Sequence, residues 1–211
     1  MNSSIIQQIE QYKIVPVVKL DRAEDAVALA KALVEGGLPL AEITFRTAAA
    51  AESIRQIRQS LPEMLVGAGT VVNTEQAEQA VQAGAKFLVS PGFSGSLAAW
   101  AAERGIALFP GVCTPSEIMQ ALPFDLPVLK FFPASQMGGL PAIRALAGPF
   151  PQVRFMPTGG VNASNICQYL ADPRVIACGG SWMVKDTLIR EGRFDEITRL
   201  TREAVALVMG G

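Results

Sequence analysis

Residues 14–46 read IVPVVKLDRAEDAVALAKALVEGGLPLAEITFR, the pattern of a strand, a helix and a second strand. Apolar and β-branched runs predict two buried strands, Ile14–Leu20 and Leu40–Arg46. Between them, Ala23–Val34 is rich in alanine and leucine, which are good helix formers. The pair Gly36-Gly37 stands where the helix should end. The stretch therefore predicts one β–α–β unit, the element from which parallel sheets are built.

The same alternation continues along the rest of the chain. Six further strands are predicted, at Leu65–Val71, Lys86–Pro91, Ala107–Val112, Val128–Pro133, Arg154–Thr158 and Val175–Cys178. Helices are predicted between them, among them Ala48–Ser60, Glu75–Ala83 and Leu97–Arg104. The expected N-caps are Asp21, Thr74, Ser94, Thr114 and Asn162, and Gly84 and Gly105 stand at expected helix ends.

Eight strand–helix units without a break predict an α/β protein, a single-domain (β/α)₈ TIM barrel over residues 1–211. The alternative is a doubly wound open sheet. No GxGxxG follows the first strand, so dinucleotide binding has little support.

Composition narrows the classes of partner. The net charge is −1 and no basic cluster is present, so we expect no nucleic-acid partner. No apolar run reaches the roughly 18 residues of a membrane span, and the first residues lack the pattern of a signal peptide. The cysteines, Cys113, Cys167 and Cys178, are odd in number and far apart, which indicates reduced thiols in a cytoplasmic protein.

The chain contains no histidine, which removes the commonest general base and the commonest metal ligand. A Ser-His-Asp triad, a Cys-His pair and a histidine-ligated metal are excluded. Chemistry must use lysine, carboxylates, hydroxyls and backbone amides.

One lysine stands inside an apolar strand, in Pro127-Val-Leu-Lys130-Phe-Phe-Pro-Ala134. Lysine is seldom fully buried unless it is paired or functional, and an unpaired buried ammonium tends to lose its proton. A neutral amine is a nucleophile that forms Schiff bases with carbonyl substrates. The alternative is a lysine at a strand end whose ammonium reaches solvent.

The second predicted strand places Glu42, Thr44 and Arg46 on one face, because side chains alternate along a strand. Apolar neighbours such as Leu40 and Ile43 suggest that both faces are covered, so the carboxylate and the guanidinium are expected to be enclosed. The alternative is a Glu–Arg pair that only satisfies itself.

Glycine pairs follow the last two predicted strands, at Gly159-Gly160 and Gly179-Gly180. Many barrels bind phosphate there with backbone amides, so the pairs and Ser181 predict a phosphate site. A side chain at Gly180 is expected to occupy the space that the phosphate needs. The alternative is that these glycines only fit tight turns.

Together these features fit Schiff-base chemistry on a phosphorylated keto acid, with the iminium as electron sink for breaking a C–C bond. Lysine would condense with the keto group, arginine or threonine would hold the carboxylate, and Glu42 would move protons.

Six sequence blocks now point to a known family. They are Glu42-Ile-Thr-Phe-Arg46-Thr, Val66-Gly-Ala-Gly-Thr70-Val, Ser90-Pro91-Gly, Lys130-Phe-Phe-Pro-Ala, Pro157-Thr158-Gly-Gly160 and Gly179-Gly-Ser181-Trp. In these blocks and over nearly its whole length, the chain resembles the 2-keto-3-deoxy-6-phosphogluconate (KDPG) and 4-hydroxy-2-oxoglutarate aldolases, which are class I aldolases. Phe45 stands where leucine is more usual, and Lys19 where many relatives carry arginine.

The resemblance implies a role for each site residue. Lys130 would be the Schiff-base lysine and Glu42 the acid and base. Arg46, Thr70 and Pro91 would surround the pyruvate-derived carboxylate. The phosphate would lie near the remaining residues of the expected site, Thr158, Gly159, Gly160, Gly180 and Ser181.

The resemblance also implies a cytoplasmic homotrimer of (β/α)₈ barrels in the Entner–Doudoroff pathway, with no metal and no cofactor beyond the covalent imine on Lys130. Its partner would be a small phosphorylated keto acid, with no nucleic acid and no membrane. The alternatives are an aldolase for the galactonate epimer, a phosphate-binding epimerase or isomerase, and a binding module without turnover.

Overall fold

In the computed structural model, which describes residues 2–210, helices alternate with parallel strands. The strands are β1 (Ile14–Val18), β2 (Leu40–Thr44), β3 (Leu65–Gly69), β4 (Phe87–Val89), β5 (Ala107–Phe109), β6 (Gly111–Val112), β7 (Val128–Phe131), β8 (Arg154–Pro157) and β9 (Cys178–Gly180). The α-helices are α1 (Asn2–Tyr12), α2 (Ala26–Glu35), α3 (Ala50–Ser60), α4 (Thr74–Gln82), α5 (Gly95–Glu103), α6 (Pro115–Ala121), α7 (Gly139–Ala147), α8 (Ile166–Leu170), α9 (Asp186–Arg190) and α10 (Phe194–Met209). Short 3₁₀ helices cover Ala23–Asp25 and Leu122–Phe124. The first and last residues of the predicted domain, Met1 and Gly211, lie outside the described residues.

The strands form two parallel sheets, one in the order β5-β4-β3-β2-β1-β9 and one in the order β6-β7-β8. The predicted α/β class with parallel strands is confirmed, as a parallel sheet curled into half a barrel. Isolated bridges join Phe155 to Val175 and Thr158 to Gly179, so β8 also meets the segment that leads into β9.

Pro110 divides the predicted strand Ala107–Val112 into β5 and β6. Proline has no N–H to donate to the ladder. Its carbonyl still accepts a hydrogen bond from the Lys130 amide at 2.9 Å, which fixes the nucleophile strand beside this break. The predicted strand Val175–Cys178 was placed too early, because Val175 forms only a bridge and the ladder with β1 runs from Cys178 to Gly180.

Helix ends follow the predicted glycines better than the helix starts follow the predicted caps. Gly37, Gly84 and Gly105 all have positive φ just after helices, the left-handed conformation that glycine adopts at little cost. Ser94 caps α5, and Thr114 caps α6 in a reciprocal box with Glu117.

The other three predicted caps were wrong. Asn73 caps α4 in place of Thr74, because its side chain accepts the Gln76 amide at 2.8 Å. A 3₁₀ turn starts before α2, and Asp21 pairs with Lys19 instead. Asn162 accepts hydrogen bonds from Ser164, inside a turn that precedes α8.

A buried carboxylate joins α7 to the segment before β9. Asp172 is 2% exposed and accepts hydrogen bonds from Arg144 Nε at 2.8 Å and from the amide and Nε of Arg174, each at 3.1 Å. Burial alone would raise the pKa of Asp172, but the bonds from Arg144 and Arg174 outweigh it and hold the pKa below its usual value.

We expect Asp172→Asn to lower the free energy of unfolding by about 1.5–3 kcal/mol at pH 7, since hydrogen bonds to a charged group are lost. The folded pKa of Asp172 is depressed, so this stabilisation is present above the unfolded pKa near 4 and is lost as the pH falls below it. Urea unfolding of both proteins from pH 7 to pH 3 measures the difference. The exposed Asp125→Asn serves as control, and a gap between wild type and Asp172→Asn that stays constant with pH would contradict the assignment.

Candidate active site

A lysine and a glutamate face each other inside the fold. Lys130 on β7 is 4% exposed, and Glu42 on β2 is 0% exposed. The Lys130 Nζ lies 3.8 Å from Glu42 Oε1, beyond hydrogen-bond distance. Neither carboxylate oxygen of Glu42 has a hydrogen-bond partner within residues 2–210. Buried polar atoms are nearly always bonded, so these two oxygens are available to a further group.

Two strands carry glycine beside this pair, one to make room for the Glu42 carboxylate and one for the backbone of Pro91. A Cβ added at Gly69 would lie 2.0 Å from Glu42 Oε1, so β3 must be bare where the carboxylate rests. Gly111 pairs with Lys130 across the β6–β7 ladder, and a Cβ there would lie 2.1 Å from the Pro91 carbonyl oxygen.

Arg46 departs from the expected geometry. The prediction that its guanidinium is enclosed is wrong, because β2 ends at Thr44 and Arg46 lies exposed beyond the strand. Its Nε donates to Thr70 Oγ1 at 3.2 Å, so the self-satisfied pair with Glu42 is not formed. Thr70 has a φ of 57°, a strained conformation for a β-branched residue, which turns the chain at the end of β3.

A cavity of about 320 Å³ opens in front of these residues. The predicted substrate-binding residues in its lining are Arg46, Thr158, Gly159, Gly160, Gly180 and Ser181. Thr70 is not part of this lining but accepts the hydrogen bond from Arg46, which is. Pro91 lines a separate depression together with Phe93. Phe132 also lines the cavity, and its ring centroid lies 4.9 Å from Lys130 Nζ, so the amine sits close behind this wall.

The turn after β8 is held by the segment that follows the lysine. The amides of Ala134 and Ser135 donate to the carbonyls of Thr158 and Gly159 at 2.8 and 3.0 Å. Gly159 and Gly160 have φ values of 98° and 78°, so the turn requires glycine for its backbone conformation. One chain segment thus positions both the amine and the glycine turn.

Thr158 carries a second unused polar atom. Its Oγ1 is buried and finds no hydrogen-bond partner in the described part of the chain. A Cβ at Gly179 would lie 2.3 Å from this oxygen, so β9 leaves room for the hydroxyl.

These features match a family of known enzymes. The model of the KDPG and KHG aldolase family, where KHG is 4-hydroxy-2-oxoglutarate, matches residues 5–200. The chain belongs to this family. A 2-dehydro-3-deoxy-phosphogluconate aldolase of Treponema pallidum is 47% identical over 205 residues, which cover 97% of this chain and 98% of the relative.

Solved structures of KDPG aldolases are similar throughout. That from Legionella pneumophila, with pyruvate captured as a covalent carbinolamine, has a TM-score of 0.91 at 38% identity and covers 94% of this chain and 96% of its own. The structure from Zymomonas mobilis, with 3-phosphoglycerate, has a TM-score of 0.90 at 39% identity. The match covers 98% of this chain and 97% of the Zymomonas chain.

In this aldolase-family chain, three cavity residues with charged or aromatic side chains had no place in the predicted site: Lys19, Phe132 and Asp186. Lys19 follows β1, which pairs with β9 through Pro16 and Gly180, and this pairing brings it beside Ser181. The Lys130-Phe-Phe motif contained Phe132, which lies one residue beyond β7 and lines the cavity with its ring. Nothing in the sequence around Asp186 distinguished it from other exposed acids.

Neither a metal-binding cluster nor a membrane-spanning helix is found among residues 2–210. Within 2–210, no cluster of three or more histidine, cysteine, aspartate or glutamate side chains could hold a metal ion. No helix in the same range is both long and apolar enough to cross a membrane.

At Gly180 a side chain is excluded by a neighbouring residue, and not by the phosphate as expected. Its Cβ would lie 2.0 Å from the ring of Trp182, so a side chain would strike the indole before it reached the cavity. The glycine backbone lines the cavity, whereas the missing side chain makes room for tryptophan.

We therefore expect Gly180→Ala to displace Trp182 and to lower the free energy of unfolding by about 1–3 kcal/mol through overpacking. The chain has two tryptophans, so a Trp100→Phe background isolates the Trp182 fluorescence, which should shift and lose near-ultraviolet ellipticity. Gly95→Ala is the matched control, because its Cβ would meet only Phe124 at an ordinary 3.9 Å. Identical Trp182 spectra in both variants would disprove the contact.

Proposed function

We propose that this protein is a class I aldolase that reversibly cleaves KDPG to pyruvate and D-glyceraldehyde 3-phosphate, and 4-hydroxy-2-oxoglutarate to pyruvate and glyoxylate. The observation that supports this best is the buried Lys130 amine 3.8 Å from the unbonded carboxylate of Glu42, behind a cavity lined by Arg46 and two glycine turns. The Legionella relative, captured with pyruvate as a carbinolamine, supports a covalent route.

In the proposed mechanism, Lys130 Nζ attacks C2 of the keto acid. Glu42 gives a proton to the carbinolamine hydroxyl, which leaves as water and produces the iminium. The C4 hydroxyl then gives its proton to the Glu42 carboxylate, the C3–C4 bond breaks, and its electron pair moves into the iminium to give an enamine and the free aldehyde. Protonation at C3 and addition of water release pyruvate and restore the amine.

Glu42 is suited to both proton transfers. Both of its oxygens are unbonded, so one is free to meet the carbinolamine hydroxyl without first breaking a hydrogen bond. The 3.8 Å separation from Lys130 leaves the amine free to reach the substrate carbon. The chain needs no metal in this scheme, because the iminium itself takes up the electron pair.

We assign the two ends of the substrate to opposite parts of the cavity. Arg46, which donates to Thr70 Oγ1, would bind the carboxylate beside Lys130, whereas Pro91 lines the separate depression. The amides of Gly159, Gly160 and Gly180, with the hydroxyls of Thr158 and Ser181, would bind the phosphate. The Zymomonas relative, solved with 3-phosphoglycerate, supports a site for a phosphorylated acid.

We also propose that residues 1–211 form one closed (β/α)₈ barrel, in which β5 and β6 act as one strand interrupted at Pro110. The bridges between β8 and the β9 segment support closure.

We propose a homotrimer as the assembly. It would cover exposed apolar side chains such as Val72 and Met119, and light scattering should then give three times the 22.4 kDa chain mass. The three free cysteines favour the reducing cytoplasm as the location of the protein.

A coupled assay for pyruvate tests the activity. The purified protein is given KDPG, its galactonate epimer and 4-hydroxy-2-oxoglutarate, each with lactate dehydrogenase and NADH. We expect pyruvate from KDPG, with activity that survives dialysis against a chelator. Faster turnover of the epimer would favour the galactonate aldolase, and binding of all three without pyruvate would favour a binding module.

Glu42→Gln preserves the shape of the side chain but removes the proton-transfer group. General acid–base catalysis typically contributes about 10²–10⁴-fold, so kcat for KDPG should fall by that range while the unfolding midpoint stays near that of wild type. The exposed Glu63→Gln is the matched control. Near-normal turnover of Glu42→Gln would show that Glu42 is only a charge partner for Lys130.

A further inference from the structure

Beside the proposed phosphate end, one cation is shared between two acids. Lys19 Nζ lies 2.8 Å from Asp21 Oδ1 and 3.8 Å from Asp186 Oδ2. The hydrogen bond that Lys19 donates to Asp21 raises the pKa of Lys19 and lowers the pKa of Asp21. Lys19 and Asp186 line the same cavity as Gly180 and Ser181, whereas Asp21 lines only a neighbouring cavity.

The charged residues around the neighbouring cavity balance one another. The neighbouring cavity, of about 290 Å³, shares Lys19 and Asp186 with the main one. Its charged lining residues are the bases Lys19, Arg22 and Arg190 and the acids Asp21, Asp25 and Asp186, which balance. Arg22 is itself bound to Asp25 by two hydrogen bonds, at 2.8 and 3.0 Å.

The main cavity, where the phosphate would bind, is lined by the bases Lys19 and Arg46 and by one acid, Asp186, whose charge repels a phosphate dianion. Opposite charge attracts and like charge repels over several ångströms, and partly exposed groups feel both. A phosphate at Ser181 would meet a lysine already bonded to Asp21, with the carboxylate of Asp186 in the same wall.

We propose that Asp186 is a specificity-determining residue, which weakens the binding of phosphorylated keto acids by competing with their phosphate for Lys19. The inference rests on the proposed aldolase function. The consequence is a smaller difference in KM between phosphorylated and unphosphorylated substrates than the glycine turns and Ser181 alone would give. Asp186 therefore favours the use of short keto acids that carry no phosphate.

Asp186→Asn removes the competing charge and keeps the size of the side chain. We expect KM for KDPG and the inhibition constant of inorganic phosphate to fall by about three- to tenfold. KM for 4-hydroxy-2-oxoglutarate should change by less than twofold, because that substrate has no phosphate. Asp195→Asn, an exposed acid on α10 outside both cavities, is the control for the change in net charge.

A second pair of variants separates competition from a structural effect. In a Lys19→Met background there is no cation to compete for, so adding Asp186→Asn should change KM for KDPG by less than twofold. The inference fails if Asp186→Asn leaves both constants at the wild-type values, if it changes KM equally for both substrates, or if its full effect persists without Lys19. Failure of the wild type to release pyruvate would instead count against the proposed function.

Discussion

The central constraint in this protein is the enclosure of two opposite charges, Lys130 and Glu42, at a distance that leaves them unbonded. Moving an ion from water into a protein interior costs roughly several kcal/mol, even after the protein relaxes. An ion pair recovers this cost only with good geometry and full hydrogen bonding. Here the ion pair is 3.8 Å long and both carboxylate oxygens lack hydrogen bonds within the described chain. A core optimised for stability alone would not leave such a pair. The arrangement is understandable if a substrate supplies the missing contacts during the reaction.

The surrounding residues are those that such a pair requires. Gly69 leaves the space for the Glu42 carboxylate, and the Pro110 carbonyl holds the Lys130 amide. The segment after Lys130 continues directly into the hydrogen bonds that hold the Thr158–Gly160 turn. The amine and the proposed phosphate end are therefore joined by one hydrogen-bonded segment, so a substrate held at one end would be positioned relative to the nucleophile.

The sequence predicted the parts of this arrangement that depend on local pattern. Period-two strands, helix-ending glycines and an apolar-embedded lysine all follow from neighbours in the chain. The sequence-based predictions failed where the position of a side chain depends on where a strand ends or on pairing between distant strands. Arg46 is exposed because β2 stops two residues earlier, and Lys19 and Asp186 meet only because β1 pairs with β9. Gly180 is small because of Trp182, a contact that the motif itself does not reveal.

The most direct test of the central claim is to trap the imine on its lysine. The protein is incubated with pyruvate and sodium borohydride, digested, and mapped by mass spectrometry. The account predicts one reduced pyruvate per chain, on Lys130, and none on a Lys130→Met variant that retains the fold. Labelling confined to Lys13, Lys19, Lys31, Lys86 or Lys185, or no labelling while pyruvate is still released from KDPG, would contradict it.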